Sequence, residues 1–145
     1  MLDFNAMIEY LDDKWDRRFV AMAHLVSTWS KDPDKKVGAV LVSPSTKQIS
    51  TGYNGYVAGA DDDYEVEVTR KNQLTVHAEL NAILNARANV EGWTLYTTKF
   101  LCEECAKAII QAGITRVVSQ PPGQGKWSGT QDRAEKLMLA SGVEL

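Results

Sequence analysis

Cysteine is scarce in this chain of 145 residues: there are two, Cys102 and Cys105. Stability must therefore come from a hydrophobic core, which a chain of this length can supply without staples. Proline is sparse too, at four residues, and no repeat, low-complexity tract or Pro/Gly/Ser linker interrupts the sequence. Residues 1–145 are expected to form a single domain. Long apolar runs are missing: none approaches the ~18 residues of a membrane span. The opening MLDFNAMIEYLDDKWDRRF mixes acids and bases within every turn and lacks the apolar centre of a signal peptide. The expectation is a cytoplasmic protein with no membrane partner. Positive charge is not in excess, since 16 Lys and Arg stand against 19 Asp and Glu for a net charge of -3. No global field would draw in DNA or RNA, so no nucleic-acid partner is expected, whereas a small anion needs only a local basic pocket.

What is present reads as alternating elements. Over residues 14–30, Trp15, Phe19, Met22, Val26 and Trp29 recur at steps of three and four, predicting an amphipathic helix that Pro33 stops. The runs VGAVLVS and KQISTGYN flank PST and predict a hairpin over residues 37–54. A long polar stretch with the acidic run DDDYEVE follows, and loops of that length are usually functional or mobile. From His77 a helix of about twelve residues is expected, with Leu80, Ile83 and Leu84 as its apolar positions. The strand WTLYTT, a helix from Cys102 closed by Gly113, the strand ITRVVSQ and a last helix before Gly142 complete the order α-β-β-α-β-α-β-α, with VEL as a further short strand. Such alternation implies an α/β fold with a mixed sheet covered by helices.

Two cysteines three apart can be a disulfide, a redox pair, half of a metal site or plain core. In a reducing cytosol the balance shifts toward metal binding or catalysis. A helix leaving His77 and a strand returning cover similar distances, so His77 and the Cys102/Cys105 pair are expected side by side at the N-termini of adjacent helices. One imidazole and two thiolates form a neutral three-donor set for Zn²⁺, with a fourth position left for solvent, the pattern of a catalytic zinc. Glu79, two residues past His77, is off the ligand face of a regular helix but within reach as a proton shuttle. A zinc-activated water and a proton carrier suit removal of an amine from an amidine-like carbon, which is deamination.

VHAELNAI followed by LCEECAKAIIQAGI resembles the zinc-dependent nucleobase deaminases, whose signature is H-x-E and then P-C-x-x-C. WSKDPDKKVGAVLV and STGYNGYVAG narrow the resemblance to the deoxycytidylate deaminases of the cytidine/deoxycytidylate deaminase family. It extends over residues 19–118 and rests on several motifs in the right order and spacing. The resemblance implies a three-layer cytidine-deaminase-like fold, a central sheet of about five strands with helices on both faces. It implies one Zn²⁺ per subunit on His77, Cys102 and Cys105, with Glu79 as the catalytic proton carrier and dCMP converted to dUMP for thymidylate synthesis. It matches Asn54 to a substrate-holding asparagine, the N–H of Ala78 to base recognition and the carbonyl of Leu101 to the substrate amine, with Ser30 and Lys31 as phosphate contacts. It further implies a homohexamer with dCTP and dTTP as effectors, Mg²⁺ accompanying the triphosphate, and Gly55, Tyr56 and Gly59 in the effector site. Two positions depart from the pattern: Leu101 and Val57 stand where the family has proline.

Each feature has a plainer reading. Cys102 and Cys105 alone would be small core residues, Glu79 a first-turn acid favoured by the helix dipole, and Asn54-Gly55 an ordinary turn. His24 is expected to be structural, Lys35 and Lys36 surface charge, and Trp15 and Trp29 core or subunit interface. The alternative functions are a deaminase of bases in tRNA or single-stranded DNA, which needs basic and aromatic tracks that the sequence does not supply, and a non-catalytic zinc-stabilised binding module.

Overall fold

Asp13 starts the first helix: its carboxylate accepts from the backbone N–H of Trp15 at 2.7 Å and of Asp16 at 3.1 Å, which supplies two of the donors a helix start leaves unpaired. The computed structural model describes residues 11–59, 74–123, 125 and 128–145. The acidic run at residues 61–67 and most of the N-terminal stretch read above lie outside them. In chain order the elements are α1 (Lys14–Ser27), β1 (Gly38–Val42), β2 (Ile49–Tyr53), α2 (Ala78–Ala86), β3 (Thr94–Thr97), α3 (Glu103–Gln111), β4 (Arg116–Val118) and α4 (Ser128–Ala140).

The strands form one mixed sheet in the order β2-β1-β3-β4. β1 pairs antiparallel with β2 and with β3, and β3 pairs parallel with β4. The fifth strand expected at VEL shrinks to a single parallel bridge between Arg116 and Glu144, held by Val117 N–H to Glu144 O at 2.8 Å and Glu144 N–H to Thr115 O at 2.9 Å. All five residues of β1 are buried because the sheet is covered twice. Val40, Val42, Tyr96 and Val118 meet Phe19, Val20, Ala23 and Val26 of α1 on one face. Ala39, Leu41, Leu95 and Val117 meet α2, α3 and α4 on the other. The result is the three-layer α/β arrangement expected of alternating elements.

Three local expectations are corrected. The first helix ends at Ser27, before Ser30, because the hydroxyls of Ser27 and Thr28 turn back to the carbonyls of His24 and Leu25 at 2.6 Å each. Trp15 and Trp29, at the two ends of its apolar stripe, are 42% and 52% exposed and so belong to no core. In α2 the buried positions are Ala78, Glu79 and Ala82, while Leu84 is exposed. Gly52 explains this: a Cβ there would lie 2.3 Å from both Ala78 O and Ala82 N, so the helix rides directly on β2 and only alanine fits between. Asn81 and Asn85 donate to Tyr53 O and Thr51 O, each at 2.9 Å, and Ser50 donates to Ala82 O at 2.7 Å. These ties fix the helix that begins just after His77.

One polar contact spans the opposite face. Asp16 on α1 is nearly buried and receives both terminal nitrogens of Arg116, at 2.9 and 2.6 Å, and the Tyr96 hydroxyl at 2.6 Å. Burial alone would raise its carboxyl pKa, but the hydrogen bonds from Arg116 and Tyr96 outweigh that and hold it below the ordinary value of 3.8. A depressed carboxyl contributes stability that is present above its unfolded pKa and lost as pH falls through the folded one. Replacing Asp16 by Asn should therefore cost ~2–3 kcal/mol in urea unfolding at pH 7, and the gap from the parent chain should shrink below pH ~4. A gap that stays constant down to pH 3 would show that the charge contributes nothing.

Candidate metal centre and catalytic pocket

Both donor-bearing segments use the same device. His77 is the N-cap of α2 and Cys102 the N-cap of α3, each extended (φ -71, ψ 152 and φ -83, ψ 168), and neither side chain caps its own helix. An extended residue at the helix start swings its side chain forward over the first turn instead of back along it. Glu79 can therefore lie near His77 despite a two-residue separation that regular helix geometry would spread apart. Cys105, one turn into α3, completes the group.

The Nδ1 atom of His77 lies 3.3 Å from the sulfur of Cys102 and 3.3 Å from that of Cys105. All three donor atoms are within 4.8 Å of one another. A tetrahedral zinc with sulfur at ~2.3 Å and nitrogen at ~2.0–2.1 Å requires N–S edges of roughly 3.6 Å, so the donor set fits that ion in both chemistry and spacing. His24 is not among the three donors; it belongs to α1, across the sheet.

Electrostatics favour a positive ion here. Hydrogen bonds from Cys105 and from His77 draw the Cys102 thiol well below its ordinary value. Its hydrogen bond to Cys102 raises His77, and the hydrogen bond to Cys102 together with burial holds the Cys105 thiol up. The protons that these groups share are those a metal displaces. Glu79 is almost completely buried, and desolvation pushes its pKa up. The Thr97 hydroxyl, on β3 beneath the helix, donates to its Oε1 at 2.9 Å, and Oε2 is 3.7 Å from the Cys105 sulfur. The carboxylate thus sits beside the donors without joining them.

A cavity opens on this group. His77, Ala78, Glu79, Leu101 and Cys102 line it, as do Asn54, Lys35, Lys99, Thr130 and Gln131. Ala78 is the first residue of α2, so its N–H has no partner within the helix. Asn54 is buried with its amide spanning two backbone groups, accepting from Val37 N–H at 2.8 Å and donating to Lys35 O at 2.8 Å. Ser30 is buried behind it, donating to Asn54 O at 2.9 Å, and is not in the lining; Lys31 is exposed and also outside it. Gly55 bridges to Val76, at 3.1 and 2.7 Å, just before His77. Tyr56 and Gly59 lie beyond that bridge, away from the cavity lining.

Lys35 looked like surface charge, whereas Lys99, Thr97 and Gln131 drew no attention. Lys99 had a usable signal, since it sits three residues before Cys102 at the end of a predicted strand. Thr97 and Gln131 had none, because only the fold brings them to the site.

Residues 13–120 match the family model described as the cytidine and deoxycytidylate deaminase zinc-binding region. An uncharacterized deaminase from the luxG 3' region of Aliivibrio fischeri is 38% identical over 136 residues, covering 91% of this chain and 92% of that protein. The deoxycytidylate deaminase of Homo sapiens is 42% identical over 118 residues, covering 76% of this chain. This alignment takes in 65% of the human protein's length. Among solved structures, the dCMP deaminase of cyanophage S-TIM5 in complex with dCMP and dUMP superposes with a TM-score of 0.77 at 26% identity, covering 93% of this chain and 97% of that one.

Proposed function

The chain belongs to the cytidine and deoxycytidylate deaminase family, and from that premise we propose that it hydrolyses dCMP to dUMP and ammonia. One observation carries the reading: a buried carboxylate, Glu79, stands against a His77/Cys102/Cys105 donor set at the floor of a cavity. The 42% identity to human deoxycytidylate deaminase and the likeness to a structure holding dCMP and dUMP support the choice of substrate.

In this reading His77, Cys102 and Cys105 hold Zn²⁺, which when bound acidifies a coordinated water and so supplies a nucleophile at neutral pH. Glu79 takes a proton from the water that attacks C4 of the pyrimidine and passes it to N3; it then takes the remaining proton of the C4 hydroxyl and gives it to the departing amine. The C4–N bond breaks, a C4–O bond takes its place, and ammonia leaves. Burial favours this role, because desolvation raises the carboxyl pKa and makes Glu79 a better proton acceptor than an exposed carboxylate. Ala78 offers its first-turn N–H to the base, and Leu101 its carbonyl to the amine. Asn54 holds the strand end at the sugar side, and its bonds to the backbone at Lys35 and Val37 suit it to keep that wall still. Lys35 and Lys99 bring positive charge to the cavity for a 5'-phosphate; Ser30, whose hydroxyl is tied to Asn54 O, steadies the loop that carries Lys35, and Lys31 lies outside the lining.

The reading extends to a homohexamer regulated by dCTP and dTTP, with Mg²⁺ on the effector and Gly55, Tyr56 and Gly59 at its site. Exposed Leu25, Trp29 and Tyr53, the last two in an edge-to-face pair at 6.2 Å, support a subunit interface on that side. Ammonia release should be measured with zinc-loaded protein on dCMP, CMP, dCTP, cytidine, guanine and a structured RNA, with and without dCTP and Mg²⁺. Turnover of dCMP above all others is expected, and turnover of RNA alone would replace this reading.

A further inference from the structure

We infer that Gln131, on α4, is a positioning residue that locks the segment delivering Cys102 to the site; the inference rests on the zinc-deaminase reading above. The segment at residues 99–102 lies between the end of β3 and the start of α3. Thr97 Oγ1 lies 3.2 Å from Lys99 O and Ala106 N–H donates to Cys102 O at 3.0 Å; Phe100 and Leu101 lie between these ends, outside any strand or helix, yet both are buried and, with Lys99 and Cys102, form one wall of the cavity. Something outside the segment must fix it.

Gln131 does so. Its side chain is 5% exposed, in a helix whose neighbouring buried positions are Ala134 and Met138. Nε2 donates to Phe100 O at 3.1 Å, and Oε1 accepts from Gly123 N–H at 2.8 Å. The orientation of the amide follows from its partners: turned over, it would set oxygen against a carbonyl and nitrogen against an N–H. A buried carboxamide is costly unless both ends are paired, and here each end fixes a stretch of backbone without a regular partner.

A second tie comes from the same turn of α4. Cys102 occupies the N-cap of α3, but its sulfur faces His77 and so is not available to cap the helix. The Thr130 hydroxyl accepts from Glu103 N–H at 3.0 Å, so a different helix satisfies one of the donors that the start of α3 leaves unpaired. The start of α4 consequently holds the carbonyl two residues before Cys102 and the N–H one residue after it.

The experiment compares zinc-loaded parent protein with Gln131→Met, which keeps the volume and removes both bonds, and with Arg133→Ala, which breaks only the exposed pair to Glu103 at 2.7 and 2.9 Å. Three readouts are taken: zinc release to a chromogenic chelator, hydrogen exchange of the amides at residues 99–103, and kcat and KM for dCMP. Gln131→Met should release zinc about tenfold faster, lose exchange protection in that segment alone, and raise KM about tenfold with a smaller fall in kcat. Arg133→Ala should stay within twofold of the parent in all three. If Gln131→Met melts lower but matches the parent in zinc release and in KM, the residue is only structural and the inference fails. Should Gln131→Met not fold, Gln131→Asn, whose amide is one methylene too short, is judged by the same criteria. Zinc release and exchange need no substrate, so an enzyme that spares dCMP overturns the proposed reaction and leaves this test standing.

Discussion

Replacing Glu79 by Gln is expected to lower kcat for dCMP by ~10²–10⁴ while zinc content stays at one per chain. The two side chains have nearly the same shape, so the cavity keeps its form. Thr97 can still donate, since the amide oxygen of Gln accepts in place of Oε1, now paired at 2.9 Å. What disappears is the ability to bind and release a proton, which the reaction needs at three moments: when the water attacks, when N3 is protonated and when the amine leaves. Zinc should remain because Glu79 is not one of the three donors. Folding should not suffer either. The carboxylate is buried beside two cysteines that a metal keeps as thiolates, and an uncharged isostere relieves that repulsion. Metal analysis, thermal melting and kcat on the same preparation separate these effects. A variant with more than a tenth of parental turnover would remove Glu79 from the chemistry, and a parent protein that holds zinc yet turns nothing over would favour a binding module.

Much of the architecture was legible in the sequence because it rests on periodicity. Hydrophobic steps of three and four, alternating runs and glycine punctuation gave the order of eight elements, and the HAE and CEEC motifs met where a helix and a returning strand had to bring them. The returning pieces were shorter than expected, nine residues in α2 and four in β3, but shortening both preserves the closure. Illegible features depend on atoms that meet only after folding. Of the apolar positions of α2, Ile83 packs against the core while Leu84 is exposed, and the fully buried face is Ala78, Glu79 and Ala82 because Gly52, on another element, sets how close the helix comes. Asp16 and Arg116 are 100 positions apart, and each reads alone as a solvated charge. Gln131 is one polar residue in a helix of mixed charge, with nothing local to mark it.

The extended backbone at His77 and Cys102 is the most instructive of these differences. Helical periodicity places Cys102 and Cys105 on one face by counting, and it sets Glu79 away from His77 by the same count. Once the first residue of each motif is an N-cap, the cysteines still converge and the glutamate is brought in as well. The spacing H-x-E therefore works because its histidine is outside the helix. The start of α4 adds ties from another element, Thr130 accepting from Glu103 N–H and Gln131 donating to Phe100 O.

Replacing Cys105 by Ser should have the largest effect of all, lowering bound zinc from one per chain to below about a tenth at micromolar protein and abolishing turnover. The loss follows from the donor count. Three protein ligands hold the ion, a soft thiolate contributes more than a hydroxyl that stays protonated at neutral pH, and the two that remain chelate weakly. Cys105 is also the more deeply placed cysteine, 4% exposed within the core that joins α2, α3 and α4, so no solvent ligand can take its position without opening that core. Stability should follow by linkage. A metal present at a thousand times its dissociation constant stabilises the folded chain by ~4 kcal/mol, on the order of 10 °C in melting temperature for a domain of this size. Adding a chelator to the parent protein should therefore lower its melting temperature by about that amount, and adding it to Cys105→Ser should change nothing. A variant that still loses stability on chelation would place the metal elsewhere in the chain, because a site built on His77, Cys102 and Cys105 has no spare protein donor to fall back on.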